Sequence, residues 1–97
     1  MVTAALALLK TDLGYTDDSI TPEQEQYLIH KLEAARARIR KSGVDLNEAD
    51  YAHLDLLVSY AAYLYRRRDS NDPMPKSLRW ALNNAITESV SAQEASE

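Results

Sequence analysis

The side chains best suited to binding chemistry form a run of arginines that follows a tyrosine-rich segment. Arg66, Arg67 and Arg68 are consecutive within "AYLYRRRDSNDPMPKSLRWAL", residues 62–82. Such clustered positive charge is typical of contacts with phosphates or carboxylates. Neighbouring side chains on a helix point about 100° apart, so these three cannot all line one groove. We expect one or two to interact with the helix dipole, and the remainder, with Arg79, to contact carboxylates of a partner.

Catalytic and metal-binding patterns are missing from the sequence. His30 and His53 lie on different predicted helices, and neither belongs to an HExxH pattern or another metal-ligand spacing. The chain has no cysteine, no glycine-rich phosphate loop and no serine in a nucleophile-elbow context. The sequence therefore predicts a protein that is not an enzyme, without catalytic, cofactor-binding or metal-binding residues. Both histidines are expected at the surface or at the edge of the core.

The charge distribution disfavours general attraction to nucleic acid but favours contacts between acidic and basic surfaces. The net charge is −4, whereas phosphate binding needs an excess of positive charge. The charge alternates in blocks along the chain: −4 over residues 1–30, +4 over 31–41, −4 over 45–55, +3 over 66–79 and −3 over 88–97. Such blocks neutralise each other within one fold or between copies of it.

Length and periodicity predict one helical domain. A chain of 97 residues corresponds to a single domain. Apolar residues recur at helical spacing throughout, which predicts an all-α bundle of about four helices over residues 1–88. Residues 89–97 are polar and lack apolar anchors, so they are predicted to form a flexible tail. No apolar run approaches the roughly 20 residues of a membrane span, and the pattern at the start of the chain predicts no secretory signal.

The first two helices have recognisable ends. We predict a helix over residues 3–13 with Thr3 as its N-cap and Gly14 as its stop. After a polar turn, Thr21 is predicted to cap the second helix and to form a capping box with Gln24, and Gly43 is predicted to end this helix. The apolar positions of the two helices are Leu6, Leu9 and Leu13, and then Leu28, Leu32, Ala35 and Ile39.

The third helix is predicted to be long and central, running from Glu48 to about Arg68 with Asn47 as its cap. One apolar stripe contains Tyr51, Leu54, Val58, Ala61 and Tyr65, and a second apolar set contains Ala52, Leu56, Tyr60 and Tyr63. A helix that is apolar almost all round is buried on more than one side. Because so short a chain has few helices to cover it, Leu56, Tyr60 and Tyr63 are predicted to form an interface with another protein.

The fourth helix is predicted to be led by a proline, beginning near Pro75 and ending at about Ser89. Its inner stripe contains Leu78, Ala81, Leu82, Ala85 and Ile86. Trp80 lies on the opposite side of the helical wheel. Two interpretations follow for Trp80: it folds back over the loop at Pro73 or onto the first helix, or it anchors a contact with another subunit or with a partner protein.

Four segments, in order, resemble the head–tail connector (adaptor) proteins of tailed bacteriophages. "LALLKTDLGYTDD" resembles the family's short first helix and acidic turn, and "EQYLIHKLEAARARIRKSGV" its second helix with a glycine stop. "YAHLDLLVSYAAYLYRRRD" resembles the central helix that ends in tyrosine and arginine, and "MPKSLRWAL" the proline-led start of the last helix. The resemblance covers about residues 5–86.

This resemblance implies an all-α structural subunit that assembles into a ring, of about twelve copies in this family, below the portal. Its implied partners are its own copies, the portal protein and the next head-completion (stopper) or tail protein, while DNA only passes through the lumen. The implied location is the head–tail junction of the virion, after synthesis in the host bacterial cytoplasm. Two other classes remain open from the residues alone: a small helical protein-binding adaptor or regulator, and a helical DNA-binding domain of the helix-turn-helix type.

Overall fold

The fold is a bundle of four helices. The structure is a computed structural model and describes the backbone of residues 1–67 and 73–96. The helices are α1 (Val2–Leu13), α2 (Pro22–Lys41), α3 (Tyr51–Arg67) and α4 (Lys76–Ser96), and the described residues contain no strand. The predicted all-α class and the number of helices are therefore confirmed. Within the described ranges, no helix combines the length and the apolar character needed to cross a membrane.

Helix α1 begins earlier than predicted and ends where predicted. It starts at Val2, with Met1 in the N-cap position and no hydrogen bond from a capping side chain. Thr3 is therefore inside the first turn, and its prediction as the cap was wrong. At the other end Gly14 has a φ of 84° and donates its N–H to the carbonyl oxygen of Thr11. This left-handed conformation favours glycine, which confirms the predicted stop.

Helix α2 has the predicted ends and the predicted buried stripe. The Thr21 hydroxyl accepts the Gln24 backbone N–H at 3.1 Å, and the Gln24 side-chain oxygen accepts the Thr21 N–H at 2.9 Å. This reciprocal pair is the predicted capping box. Gly43, with a φ of 102°, follows the last helical residue, Lys41. The core residues that this helix contributes are the four predicted ones: Leu28, Leu32, Ala35 and Ile39.

Helix α3 begins at Tyr51 rather than Glu48, so Asn47 does not cap it. Instead the Asp50 carboxylate accepts two backbone N–H groups of the first turn, at 2.9 and 3.4 Å. The Asn47 side chain closes the preceding turn by accepting the backbone N–H two residues later, at 3.0 Å. The Asn47 N–H in turn donates to Nδ1 of His53 at 2.9 Å, and His53 lies half-buried at the edge of the core. The predicted cap, Asn47, therefore serves the turn, and Asp50 caps the helix.

Helix α3 is the centre of the packing, although it is shorter than α2 and α4. It contacts each of the other three helices. Its buried residues are Leu56, Leu57, Val58, Tyr60, Ala61, Ala62 and Leu64. Burial on several sides is as predicted, but Tyr51 is 83% exposed and does not belong to the buried stripe. Side chains lean towards the N-terminus of a helix, so the first residue of α3 points beyond the end of the helix rather than into the bundle.

Helix α4 packs through its predicted stripe and extends beyond its predicted end. Leu78 and Ala85 are buried, and Ala81, Leu82 and Ile86 are half-buried against the core. The Ser89 hydroxyl donates to the carbonyl oxygen of Gly43 at 3.0 Å, which joins α4 to the turn after α2. The helix continues to Ser96 instead of ending near Ser89, because alanine, glutamine and glutamate favour helix even without apolar anchors. The predicted mobility of residues 89–97 stays a prediction.

Candidate protein-interaction site

An open groove of about 570 Å³ lies between α3 and α4. The residues that line it are Asp12, Ala52, Asp55, Leu56, Ser59, Ala62, Tyr63, Arg66, Arg67, Pro73, Pro75, Ser77, Leu78 and Ala81. We call this surface the α3–α4 groove. Its floor is apolar, and charged side chains lie along its edge. Three of the residues predicted for an interface from the end of α3, Tyr63, Arg66 and Arg67, are therefore brought together here, with Leu56 at the floor.

Small side chains on both helices account for the groove. On α3, Ala52 and Ser59 are separated by two helical turns and are both exposed, and Ala62 follows on the same side. On α4, Ser77 and Ala81 are one turn apart. These residues are too short to fill the space between two helices to the density of a protein interior. The result is a contact between α3 and α4 that leaves apolar surface open to solvent.

Two of the three consecutive arginines are engaged within the subunit. A guanidinium nitrogen of Arg66 is 3.2 Å from an oxygen of Asp12, in an exposed ion pair. Arg67 donates to the Tyr63 hydroxyl at 3.2 Å, and its guanidinium carbon lies 5.8 Å from the centre of the same ring. Exposed ion pairs and cation–π contacts each contribute about 0–1 kcal/mol. Arg68 lies outside the described residues.

The exposure predicted for the second apolar set of α3 was partly wrong. Leu56 is 3% exposed and Tyr60 is 8% exposed. Helix α4 lies beside Leu56, and the Tyr60 ring contacts the Tyr63 ring edge-on at a centroid distance of 6.3 Å. The prediction assumed that three other helices were too few to cover α3, but α4 covers part of this face. Tyr63 is half-buried and borders the groove.

Trp80 is an exposed aromatic residue on the outer face of α4. Its side chain is 70% exposed, so the interpretation in which it folds over Pro73 or onto α1 is wrong. The exposed side of the helix also carries Arg79, with Lys76 one turn before Trp80, and neither forms an ion pair with a described residue. A large indole exposed between cations is typical of a residue that contacts another molecule.

A second open surface lies on the basic flank of α2. It has a volume of about 600 Å³ and is lined by Val2, Glu33, Arg36, Ala37, Arg40 and Lys41. The exposed carboxylate of Glu48 contributes negative charge close to this flank. The hydrogen bond from the Met1 ammonium, the charge of that ammonium and the charge of Arg36 all lower the pKa of Glu48. The positive and negative charge blocks thus meet partly within one subunit.

Other kinds of site find no support in the described part of the chain. No group of three or more histidine, aspartate or glutamate side chains there is placed to hold a metal ion. Every buried side-chain nitrogen or oxygen among the described residues has a hydrogen-bond partner, so no buried polar group is left aimed into a cavity. Comparison with protein-family models, curated proteins and solved structures found no match to this chain.

Sequence reasoning missed the acidic edge of the groove and the small residues that open it. Asp12 is far in sequence from Arg66, with which it pairs, and no local sequence pattern indicates that contact. Asp55 is exposed and forms no ion pair with a described residue. The small residues did carry a signal, because Ala52 and Ser59 lie seven residues apart on one side of a helix.

Proposed function

We propose that this protein is a structural subunit of a phage head–tail connector ring. The observation that carries the proposal is the presence, on one subunit, of two different exposed surfaces that suit a partner. One is the outer face of α4 with Trp80, and the other is the α3–α4 groove. A closed ring of identical subunits needs two such distinct and complementary patches, whereas a two-fold dimer needs only one self-complementary patch.

The order of the helices supports the same proposal. The four segments that resemble connector proteins correspond to α1 with its following turn, α2, α3 and the start of α4. In this proposal the ring lies below the portal at the head–tail junction of the virion and presents a surface to the next head-completion or tail protein. Its role is structural rather than enzymatic, and DNA passes through the lumen without being read.

The engaged arginines favour passage of DNA over recognition of DNA. Arg66 pairs with Asp12, and Arg67 packs on Tyr63, so both arginines already have partners within the subunit. Recognition of duplex DNA relies on cations that release counterions from phosphates, and the net charge of −4 opposes it. A helical adaptor for one other protein is the second candidate, since the α3–α4 groove would also accept an amphipathic helix.

A binding experiment with the portal protein of the same phage genome tests the proposal. Tagged portal should retain the full chain on affinity resin, and a capsid protein with the same tag should not. A connector gene is also expected next to portal and capsid genes. If the portal fails to bind the chain and the gene has no phage neighbours, the connector function is wrong and the adaptor becomes the better account.

A further inference from the structure

We infer that Trp80 of one copy docks into the α3–α4 groove of a second copy of this chain. The inference deepens the proposed function by naming the contact between neighbouring subunits, and it rests on that function. The occupant is a second copy because the chain itself supplies both an exposed indole and an open apolar groove. The two surfaces belong to one molecule yet do not meet within it.

Trp80 does not fill the groove of its own subunit. On α4 the groove is lined by Ser77, Leu78 and Ala81, whereas Trp80 does not line it and lies about 60° around the helix from Ser77. Its 70% exposure agrees with this position on the outer face. The indole therefore remains available to the groove of another molecule.

The groove has the size and lining that an indole requires. Its volume of about 570 Å³ falls in the range of clefts that hold drug-sized molecules, so a bicyclic ring and part of its helix fit. The floor offers Leu56, Leu78 and the half-buried ring of Tyr63. The guanidinium of Arg67 next to Tyr63 is placed to contact the face of an incoming indole as well.

On docking, the positive charges beside Trp80 face a negative charge at one edge of the α3–α4 groove and positive charges at the other edge. Lys76 and Arg79 flank Trp80, and Asp55 on the groove edge has no ion-pair partner among the described residues. A docked helix that places Arg79 near Asp55 pairs these charges. At the other edge Arg66 and Arg67 carry positive charge, and the ion pair with Asp12 offsets only the charge of Arg66. The pairing at Asp55 therefore fixes the direction in which the helix lies in the groove.

Docking of this kind is head-to-tail. Each copy gives its Trp80 to the next copy and receives the indole of the previous one, so that no contact is self-complementary. Such a heterologous contact closes into a ring when the rotation between copies allows it. A two-fold pair that exchanges both indoles makes the same contact, so a particle mass that stops at two copies would contradict the head-to-tail arrangement.

A mixing experiment with two variants of the full chain tests the direction of the contact. Trp80→Ala keeps the groove but lacks the indole, and Ser59→Arg keeps the indole but fills the groove from an exposed position. Sedimentation velocity should show that each variant alone associates about thirtyfold more weakly than the unmodified chain, or weaker still. The equimolar mixture should form a one-to-one dimer. Tyr51→Ala, which removes another exposed aromatic residue, should associate as the unmodified chain does.

A charge exchange adds a second readout of the same contact. Asp55→Lys and Arg79→Glu should each weaken association, and the two substitutions together should restore it. Fluorescence of Trp80, the single tryptophan of the chain, should shift to the blue as concentration rises. Circular dichroism of every variant should match that of the unmodified chain, which separates lost docking from lost folding.

Three results in solution would overturn the inference. They are an unmodified chain that stays monomeric at about 1 mM, a Trp80→Ala variant that associates normally, and a mixture that stays monomeric while the unmodified chain associates. A portal-bound ring built from Trp80→Ala would refute the docking and leave the connector function intact. Head-to-tail association without any affinity for portal would support the docking and refute the connector function.

Discussion

At the scale of single residues, exposure separates the side chains that hold the monomer together from those available to a partner. Leu57 is fully buried, whereas Trp80 is largely exposed. Leu57→Ala should lower the free energy of unfolding by about 2–5 kcal/mol because it leaves a cavity in the core. Trp80→Ala should change it by only about 0.5 kcal/mol, although tryptophan is the larger side chain.

Urea unfolding of both variants at micromolar concentration, where the chain is least associated, provides the measurement. Leu8→Ala is the matched control for Leu57→Ala, since it removes the same atoms from a leucine that is 43% exposed. Trp80 emission in the native monomer should resemble that of a solvated indole. A large loss of stability in Trp80→Ala, with blue emission from a confirmed monomer, would place Trp80 in the core and contradict its role at an interface.

At the scale of the helices, the beginning of α2 is set by a few neighbouring residues. Thr21→Ala removes the acceptor for the Gln24 N–H and should lower the free energy of unfolding by about 1 kcal/mol. Thr3→Ala is the control, because Thr3 was a predicted cap but makes no capping hydrogen bond. Its effect should stay within about 0.5 kcal/mol, which thermal or urea unfolding resolves. Equal losses in the two variants would mean that the capping box does not hold the start of α2.

Local signals predicted those parts of the fold that depend on local contacts. The capping box and the glycine stops involve residues within a few positions of each other, so the sequence contains all of their partners. The start of α3 was missed because Asn47 and Asp50 are both good caps, and the sequence alone does not rank them. The choice depends on the turn that also binds His53.

The sequence predicted the side of α4 on which Trp80 lies but not the groove, because the groove depends on contacts between distant segments. The helical wheel of α4 placed Trp80 opposite the buried stripe, and the structure has it exposed there. Burial of Leu56 and Tyr60 depends on where α4 packs, which a pattern within α3 does not specify. The groove itself results from small residues on two helices, so it appears only when those helices are placed side by side.

At the scale of the whole molecule, the balance of charge opposes binding to duplex DNA. We expect no detectable complex between the free chain and a random duplex at physiological salt, measured by fluorescence anisotropy. Reducing the salt should add little affinity, because the net charge of −4 opposes close approach of the chain to phosphates. Arg79→Ala should behave as the unmodified chain. A steep dependence of affinity on salt, reduced in that variant, would instead favour the DNA-binding class.

The most direct test of the connector account is an electron-microscopic image of the full chain bound to the portal of its own phage, with the particle mass measured in parallel. The account predicts a closed ring of this protein on one face of the portal, coaxial with the DNA channel, and a mass that corresponds to about twelve added copies. Portal particles without an added ring, at a concentration of the chain that saturates any binding, would contradict it.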